Sequence, residues 1–204
     1  NLGTLCVYVF FALSGFFIAQ SFDRSRCGLH FLAARALRLF PALAVMSCLT
    51  VIAAALWVSA ADPAAVWREG AAYVLRSMTL VAVDYTLPGV FQDTPYPGVI
   101  NGSLWTLFYE VVCYLGVLVL GLLGLFRHPR LCAGVVALAA GLCGAVWLAA
   151  AAGLEMPGRM VRLGQLGLPF AIGVGLYLMR HRVPLSPALA LGLAGLAALA
   201  HLSR

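Results

Sequence analysis

The chain has no lysine, and only seven of its 204 residues are acidic. Charged residues make up 10% of the sequence, against about 25% in soluble domains, which excludes an ordinary water-soluble globule. No C-x-x-C pair occurs among the six cysteines, so a paired redox or zinc motif has no footing. All of them but Cys27 fall inside apolar runs, where a thiol reads as a small packing residue. A secretory leader is also missing: the first apolar run has no basic segment before it and no small-residue cleavage site, and further spans follow. Internal repeats are absent too, and the only compositional bias is the Ala/Leu/Gly content of residues 131–153 and 188–200.

What remains is apolar. The sequence is 63% hydrophobic with a mean hydropathy of +1.00, and this composition predicts an all-α, polytopic transmembrane helical bundle. A bilayer core of about 30 Å needs about 20 apolar residues per span. Residues 2–20, 39–61, 104–126 and 131–154 meet that length, and 163–179 is shorter but adequate. A last run from Ala188 reaches only His201 and is too short to span comfortably. The chain opens on Asn1 directly into a hydrophobic run and stops soon after His201. Residues 1–204 are therefore expected to form one membrane-embedded domain that is incomplete at its N-terminus and at its C-terminus.

The net charge of +6 comes from thirteen arginines that sit in short breaks between spans. It therefore points to cytoplasmic loops and lipid headgroups, with no nucleic-acid partner implied. Arg24, Arg26, Arg35 and Arg38 crowd the first connection and make it the cytoplasmic one. Residues 66–83 are ambiguous because they hold Arg68, Glu69 and Arg76. Three charges so close together are costly in lipid, which favours an interfacial helix. Residues 84–103, with Pro88, Pro95 and Pro97, would then face outside, and Glu110 would lie near that side.

Chemistry has three places to reside. The first is the helix carrying Glu110, because an ionised carboxyl at the centre of a membrane helix costs roughly 2.5–3.5 kcal/mol and marks a functional site by default. At 3.6 residues per turn, Ser103, Thr106, Glu110, Cys113 and Tyr114 share one stripe. Such a stripe must face protein or water. It lines a substrate cavity, or it is a helix contact with a protonated or bonded acid; Trp105 and Tyr109 serve beside it or as interfacial belt aromatics. The second is residues 23–41, where Phe31, Arg35 and Arg38 share a helical face and two guanidinium forks suit phosphate oxygens. Positive-inside topology alone would also put arginines there. Pro41 falls near the start of the next span, where its missing N–H is tolerated, and His30 is an ordinary interfacial residue. The third is Phe10-Phe11-Ala12-Leu13-Ser14-Gly15-Phe16-Phe17-Ile18, in which Ser14 and Gly15 open space either for an acyl chain or for plain helix packing.

Taken in order, these segments resemble the acyltransferase 3 family of integral membrane acyltransferases. Phe10 to Ile18 is similar to its F-F-x-L-S-G-F-x-I helix, Arg35 to Pro41 to its R-x-x-R-L-x-P element, and Asn101 to Glu110 to its N-x-S-L-W-[ST]-L-x-x-E segment. The likeness extends over residues 2–180, though only about thirty of them are motif-like and the rest agree in hydropathy. It implies an enzyme of about ten spans, of which about six helices are present here, in the inner (plasma) membrane. Such an enzyme O-acylates, often O-acetylates, a carbohydrate or lipid-linked glycan of the envelope from acyl-CoA, with no bound cofactor and no metal. Carried over by position, Glu110 and Trp105 belong to the transfer site, and Arg35 and Arg38 bind the donor. Ser14, Gly15, Ser103, Thr106 and Tyr114 line the substrate path. Members also carry a histidine in a span before the F-F-x-L-S-G helix; none of His30, His128, His181 or His201 occupies that place, so this chain is expected to lack the general base and to be inactive alone. The alternative from another class is a polytopic transporter or flippase for a polar lipid or sugar, which buried acids, glycine-broken helices and a basic rim would serve equally.

Overall fold

The computed structural model describes residues 2–25, 27–81, 86–94 and 98–182. Arg26, Asp84, Pro95, Pro97 and the expected last apolar run at 188–200 lie outside the described residues. Within them the chain forms six α-helices: α1 (Leu2–Ser25), α2 (Gly28–Ala53), α3 (Pro63–Thr79), α4 (Trp105–Leu122), α5 (Pro129–Ala151) and α6 (Gly158–Leu178). A π turn, Ala54–Val58, continues α2, and a 3-10 turn, Gly102–Leu104, leads into α4. Five helices are long and apolar enough to cross a membrane: Leu2–Ser25, Gly28–Val58, Gly102–Leu122, Pro129–Ala151 and Gly158–Leu178. The protein is thus an all-α, multi-pass membrane bundle. Extended pairing among the described residues is limited to one isolated bridge between Thr86 and Val99.

The arginine-rich stretch is not a connection. Residues 29–38 read Leu-His-Phe-Leu-Ala-Ala-Arg-Ala-Leu-Arg, a run without Gly or Pro whose members are good helix formers, so α2 begins at Gly28 and runs for 31 residues. At 1.5 Å per residue it is roughly 46 Å long, beyond the thickness of the hydrocarbon. Arg35 and Arg38 ride on its first three turns. Pro41 consequently lies inside the helix rather than near its start, and the carbonyl of Leu37 loses the donor it would have met four residues on.

The frame of the bundle is the crossing of α1 over α6. A methyl group added at Gly15 would collide with the carbonyl oxygen of Phe170, and one added at Gly173 would collide with that of Ala12. The two backbones therefore approach to a distance only glycine permits, as small residues allow in lipid, where association rests on packing instead of water exclusion. Around this crossing lie the buried side chains of Phe11, Ile18, Phe22, Phe170, Val174 and Tyr177, joined by Tyr109, Tyr114 and Val117 of α4. At the other end of the same pair, Tyr177 Oη donates to Asp23 Oδ2 at 2.7 Å. Arg180 lies 3.7 Å from that carboxylate and sits over the Tyr177 ring.

α5 packs on α6 around Cys143. Gly134 and Gly141 meet no atom within 4 Å among the described residues. The close approach is made by α6: a Cβ at Gly164 would fall 2.8 Å from the Cys143 carbonyl oxygen, and one at Gly167 2.9 Å from Cys143 Sγ. The cysteines divide similarly. Cys113 and Cys132 are buried packing residues, Cys143 is half-buried, and Cys6, Cys27 and Cys48 are exposed.

α3 starts on an Asp62 cap, whose Oδ1 accepts from Ala64 N at 3.2 Å, followed by Pro63 at the first helical position. It ends at Leu80 in the left-handed conformation. Val66, Gly70, Tyr73 and Ser77 face inward, with Gly70 against Val51 of α2, while Arg68, Glu69 and Arg76 are exposed. This one-sided helix of 17 residues is in keeping with an interfacial position. Asn101, at φ 59, donates from Nδ2 to Thr50 Oγ1 at 2.6 Å and to Tyr73 Oη at 3.1 Å. One amide thereby fixes the entry to α4 against both α2 and α3.

Gly173→Leu should lower the thermal unfolding midpoint of the detergent-purified protein by several degrees, since overpacking typically costs about 1–3 kcal/mol. Gly175→Leu, on the same helix but with no neighbour within 4 Å among the described residues, should leave it within error. Equal midpoints for the two variants would contradict the glycine crossing.

Candidate active site

Glu110 lies in the second turn of α4 and is half-buried. One turn further on, the buried Tyr114 donates its hydroxyl to Glu110 Oε1, at the i, i+4 spacing that brings side chains together on a helix. One carboxylate oxygen is thus occupied and Oε2 is left for another group.

The register of α4 against α2 decides what faces this pair. A Cβ at Gly28 would lie 3.2 Å from Leu118 Cδ1 and 3.1 Å from Leu122 Cδ2, so the start of α2 is level with the end of α4. The two helices run in opposite directions at the same rise per residue, which puts Arg35 level with Tyr114 and Arg38 level with Glu110. Leu43 of α2 and Leu104 of the turn before α4 share a small buried cluster, against which Leu107 and Val111 pack, as that register requires. Both Arg35 and Arg38 lie close enough to the Tyr114 phenol to act on it electrostatically. The two segments singled out for a carboxyl and for an arginine pair therefore face one another across α2 and α4.

Arg35 is the more enclosed of the two arginines. Its Nη2 donates to Ser21 Oγ of α1 at 3.3 Å, whereas its Nε is buried and finds no hydrogen-bond partner among the described residues. A buried guanidinium N–H left unpaired is costly. Between α1 and α2 a groove of about 500 Å³ opens, lined by Gln20, Ser21, Arg24, His30 and Arg35 over Phe17 and Phe31. Nothing in the sequence pattern marked Ser21, Arg24 or His30 for this groove, because they come from two helices whose relative register is set by the Phe22 and Phe31 rings packed edge to face. Arg38 is exposed, and Glu110 lines none of the four grooves described in the protein.

The remaining predicted residues are placed elsewhere. Trp105 is half-buried; its ring meets Tyr109 edge on and carries the Arg162 guanidinium 5.4 Å above its centroid. Five residues apart on α4, Trp105 and Glu110 are about 140° apart around the helix, so the two do not share a face. Arg159, one turn before Arg162, lies over Phe108 in the same way. These two arginines were not anticipated; the available signal was their i, i+3 spacing at the arginine-poor end of the bundle. Ser103 is exposed in the turn before α4, and Thr106 Oγ1 donates to its carbonyl at 3.0 Å. Both lie toward that same end, Thr106 one turn before Glu110 on the same face and Ser103 about two turns before it. Gly15 is buried in the α1–α6 crossing against Phe170, which is helix packing, and Ser14 beside it is half-buried. No group of three or more His, Cys, Asp or Glu side chains suited to a metal occurs among the described residues.

Comparison with known proteins points in one direction. The sequence profile of a family described as an acyltransferase domain matches residues 1–203. A protein named O-acetyl transferase from Shigella phage Sf6 is 33% identical over 115 residues, covering 56% of this chain and 34% of that relative. The chain thus spans about a third of the length of the curated relative it matches. No solved structure matches.

The Tyr114–Glu110 bond is measurable as a coupling. In a double-mutant cycle of Tyr114→Phe and Glu110→Gln, thermal unfolding should return an interaction energy of about 0.5–2 kcal/mol. Strict additivity would remove the bond.

Proposed function

The chain belongs to the acyltransferase 3 family, and from that premise we propose that it is part of a multi-pass enzyme of the inner (plasma) membrane. The enzyme moves an acyl group, acetyl in the simplest case, from acyl-CoA to a hydroxyl of a carbohydrate or lipid-linked glycan. The printed name of the phage relative, O-acetyl transferase, supports the oxygen acceptor and the acetyl group. The observation that carries the reading is the meeting of Glu110–Tyr114 with Arg35 and Arg38 across α2 and α4.

The chemistry asks for little more than those groups plus a base. The acceptor hydroxyl attacks the thioester carbonyl; a C–O bond forms, the C–S bond breaks, the hydroxyl proton passes to a base and the departing thiolate takes up a proton. General-base assistance is worth typically a hundred- to ten-thousandfold. The base implied by the family resemblance is a histidine upstream of the F-F-x-L-S-G helix. Glu110 would orient that imidazole and stabilise its charged form through the free Oε2, as a carboxylate does in hydrolytic triads, while Tyr114 fixes the carboxylate by holding Oε1.

On the donor side, Arg35 and Arg38 are suited to the phosphates of acyl-CoA. A guanidinium offers five donors in a planar fork that matches phosphate oxygens, and Arg35 lines the groove between α1 and α2. Arg24, on the same groove, extends the positive surface toward the end of the bundle. Placement on the arginine-rich end agrees with a donor that arrives from the cytoplasm. Trp105 under Arg162, at the opposite end, presents an aromatic face of the kind that stacks on sugar rings, and Ser103 and Thr106 stand beside it as the acceptor's entry. Family membership favours this enzyme over a transporter built from the same polar groups.

In the full-length protein, Glu110→Gln should abolish acyl transfer to the envelope glycan, read by mass spectrometry, while membrane insertion and yield are unchanged; normal acylation in that variant would remove Glu110 from the mechanism. Arg35→Glu should raise the apparent KM for acyl-CoA at least about tenfold, because one charge-assisted contact is worth about 1.5–3 kcal/mol. An unchanged KM would leave that arginine to topology alone.

A further inference from the structure

We propose that the groove between the start of α5 and the end of α6 binds the headgroup phosphate of an anionic phospholipid. The groove encloses about 900 Å³ and is lined by Arg127, His128, Arg130, His181 and Arg182, with no Asp or Glu in its lining. It lies at the arginine-rich end of the bundle but shares no lining residue with the groove that holds Arg35.

Two features give it the character of an anion site. Its arginine side chains are unengaged: Arg35, Arg159, Arg162 and Arg180 each meet a hydroxyl, a carbonyl, a carboxylate or an aromatic ring, whereas those of Arg127, Arg130 and Arg182 have no such partner among the described residues. Like charges gathered without a counterion repel, and an anion between them removes that cost. The first turn of α5 adds its own donors. Pro129 has no N–H to give, and the Cys132 N–H is spent on the His128 carbonyl at 2.9 Å, but those of Arg130 and Leu131 precede the first helical bond and point outward with the positive end of the helix dipole.

The lipid, and not a free phosphate, is indicated by what lies beneath the arginines. Leu131 and Met179 are in the groove lining and are exposed at 57% and 44%. From Leu131 an exposed apolar stripe continues down α5 through Val135, Leu138 and Leu142, at the spacing of a single helix face. α5 is also the least enclosed of the five spanning helices, with 11% of its apolar window buried. A ligand with its phosphate among the arginines and its acyl chains along that stripe satisfies both surfaces at once, as basic pockets between membrane helices do for anionic headgroups.

The test is native mass spectrometry of the delipidated, detergent-purified protein titrated with phosphatidylglycerol and with phosphatidylcholine carrying the same acyl chains. Phosphatidylglycerol should bind at least about tenfold tighter. The triple variant Arg127→Ala, Arg130→Ala, Arg182→Ala should lose that preference; the single Arg130→Glu, on the exposed first turn of α5, should weaken it severalfold and serves if the triple variant does not fold. Arg159→Ala, at the opposite end, should retain it. Equal binding of the two lipids, or undiminished phosphatidylglycerol binding by both groove variants, would overturn the proposal. Displacement of phosphatidylglycerol by equimolar inorganic phosphate would overturn it as well, by assigning the groove to a soluble anion.

Discussion

The bundle depends on two backbones touching. Where α1 crosses α6, Gly15 sits on the Phe170 carbonyl and Gly173 on that of Ala12, and no side chain fits between. In lipid there is no water to expel from such a contact, so its strength comes from dispersion over many atoms held at short range. Once that crossing is set, Phe11, Ile18, Phe22, Phe170, Val174 and Tyr177 form one wall, and α4 docks on it with Tyr109, Cys113 and Val117. Glu110 lies on the flank of that docked face, close in angle to Tyr114 and Val117, where α4 turns from the α1–α6 wall toward the residues that pack on α2.

Glu110 illustrates how a membrane protein tolerates an acid. Its carboxyl accepts a hydroxyl from its own helix and stands level with two guanidinium groups on the neighbouring one. The cost of placing it there is offset locally by that hydroxyl.

The five spans were readable because apolar runs of the right length have only one solution in lipid, and residues 2–20, 104–126 and 131–154 fall on α1, α4 and α5. The start of α2 was not readable in this way. Hydropathy falls at Arg35 and Arg38 although the backbone continues helical through both, because hydropathy reports the solvent around a residue while helix formation reports its local conformational preference. At the site, the stripe containing Glu110 and Tyr114 was visible from spacing, and so was the shared face of Phe31, Arg35 and Arg38. Their meeting was not, because it requires the offset of α2 against α4, fixed by Gly28 lying on Leu118 and Leu122. The stacking of Arg162 on Trp105 was hidden for the same reason. Gly15 could be read as room for an acyl chain or as helix packing, and its approach to the Phe170 backbone was not visible in the sequence.

Pro41 has a mechanical meaning. It removes one rung from the ladder of α2, three residues after Arg38, and leaves the Leu37 oxygen open at the depth of the carboxyl on α4. A rod missing a rung bends there more cheaply than elsewhere along its length. The segment before the proline, with both guanidinium groups, can therefore tilt independently of the segment after it, which Asn101 holds through Thr50.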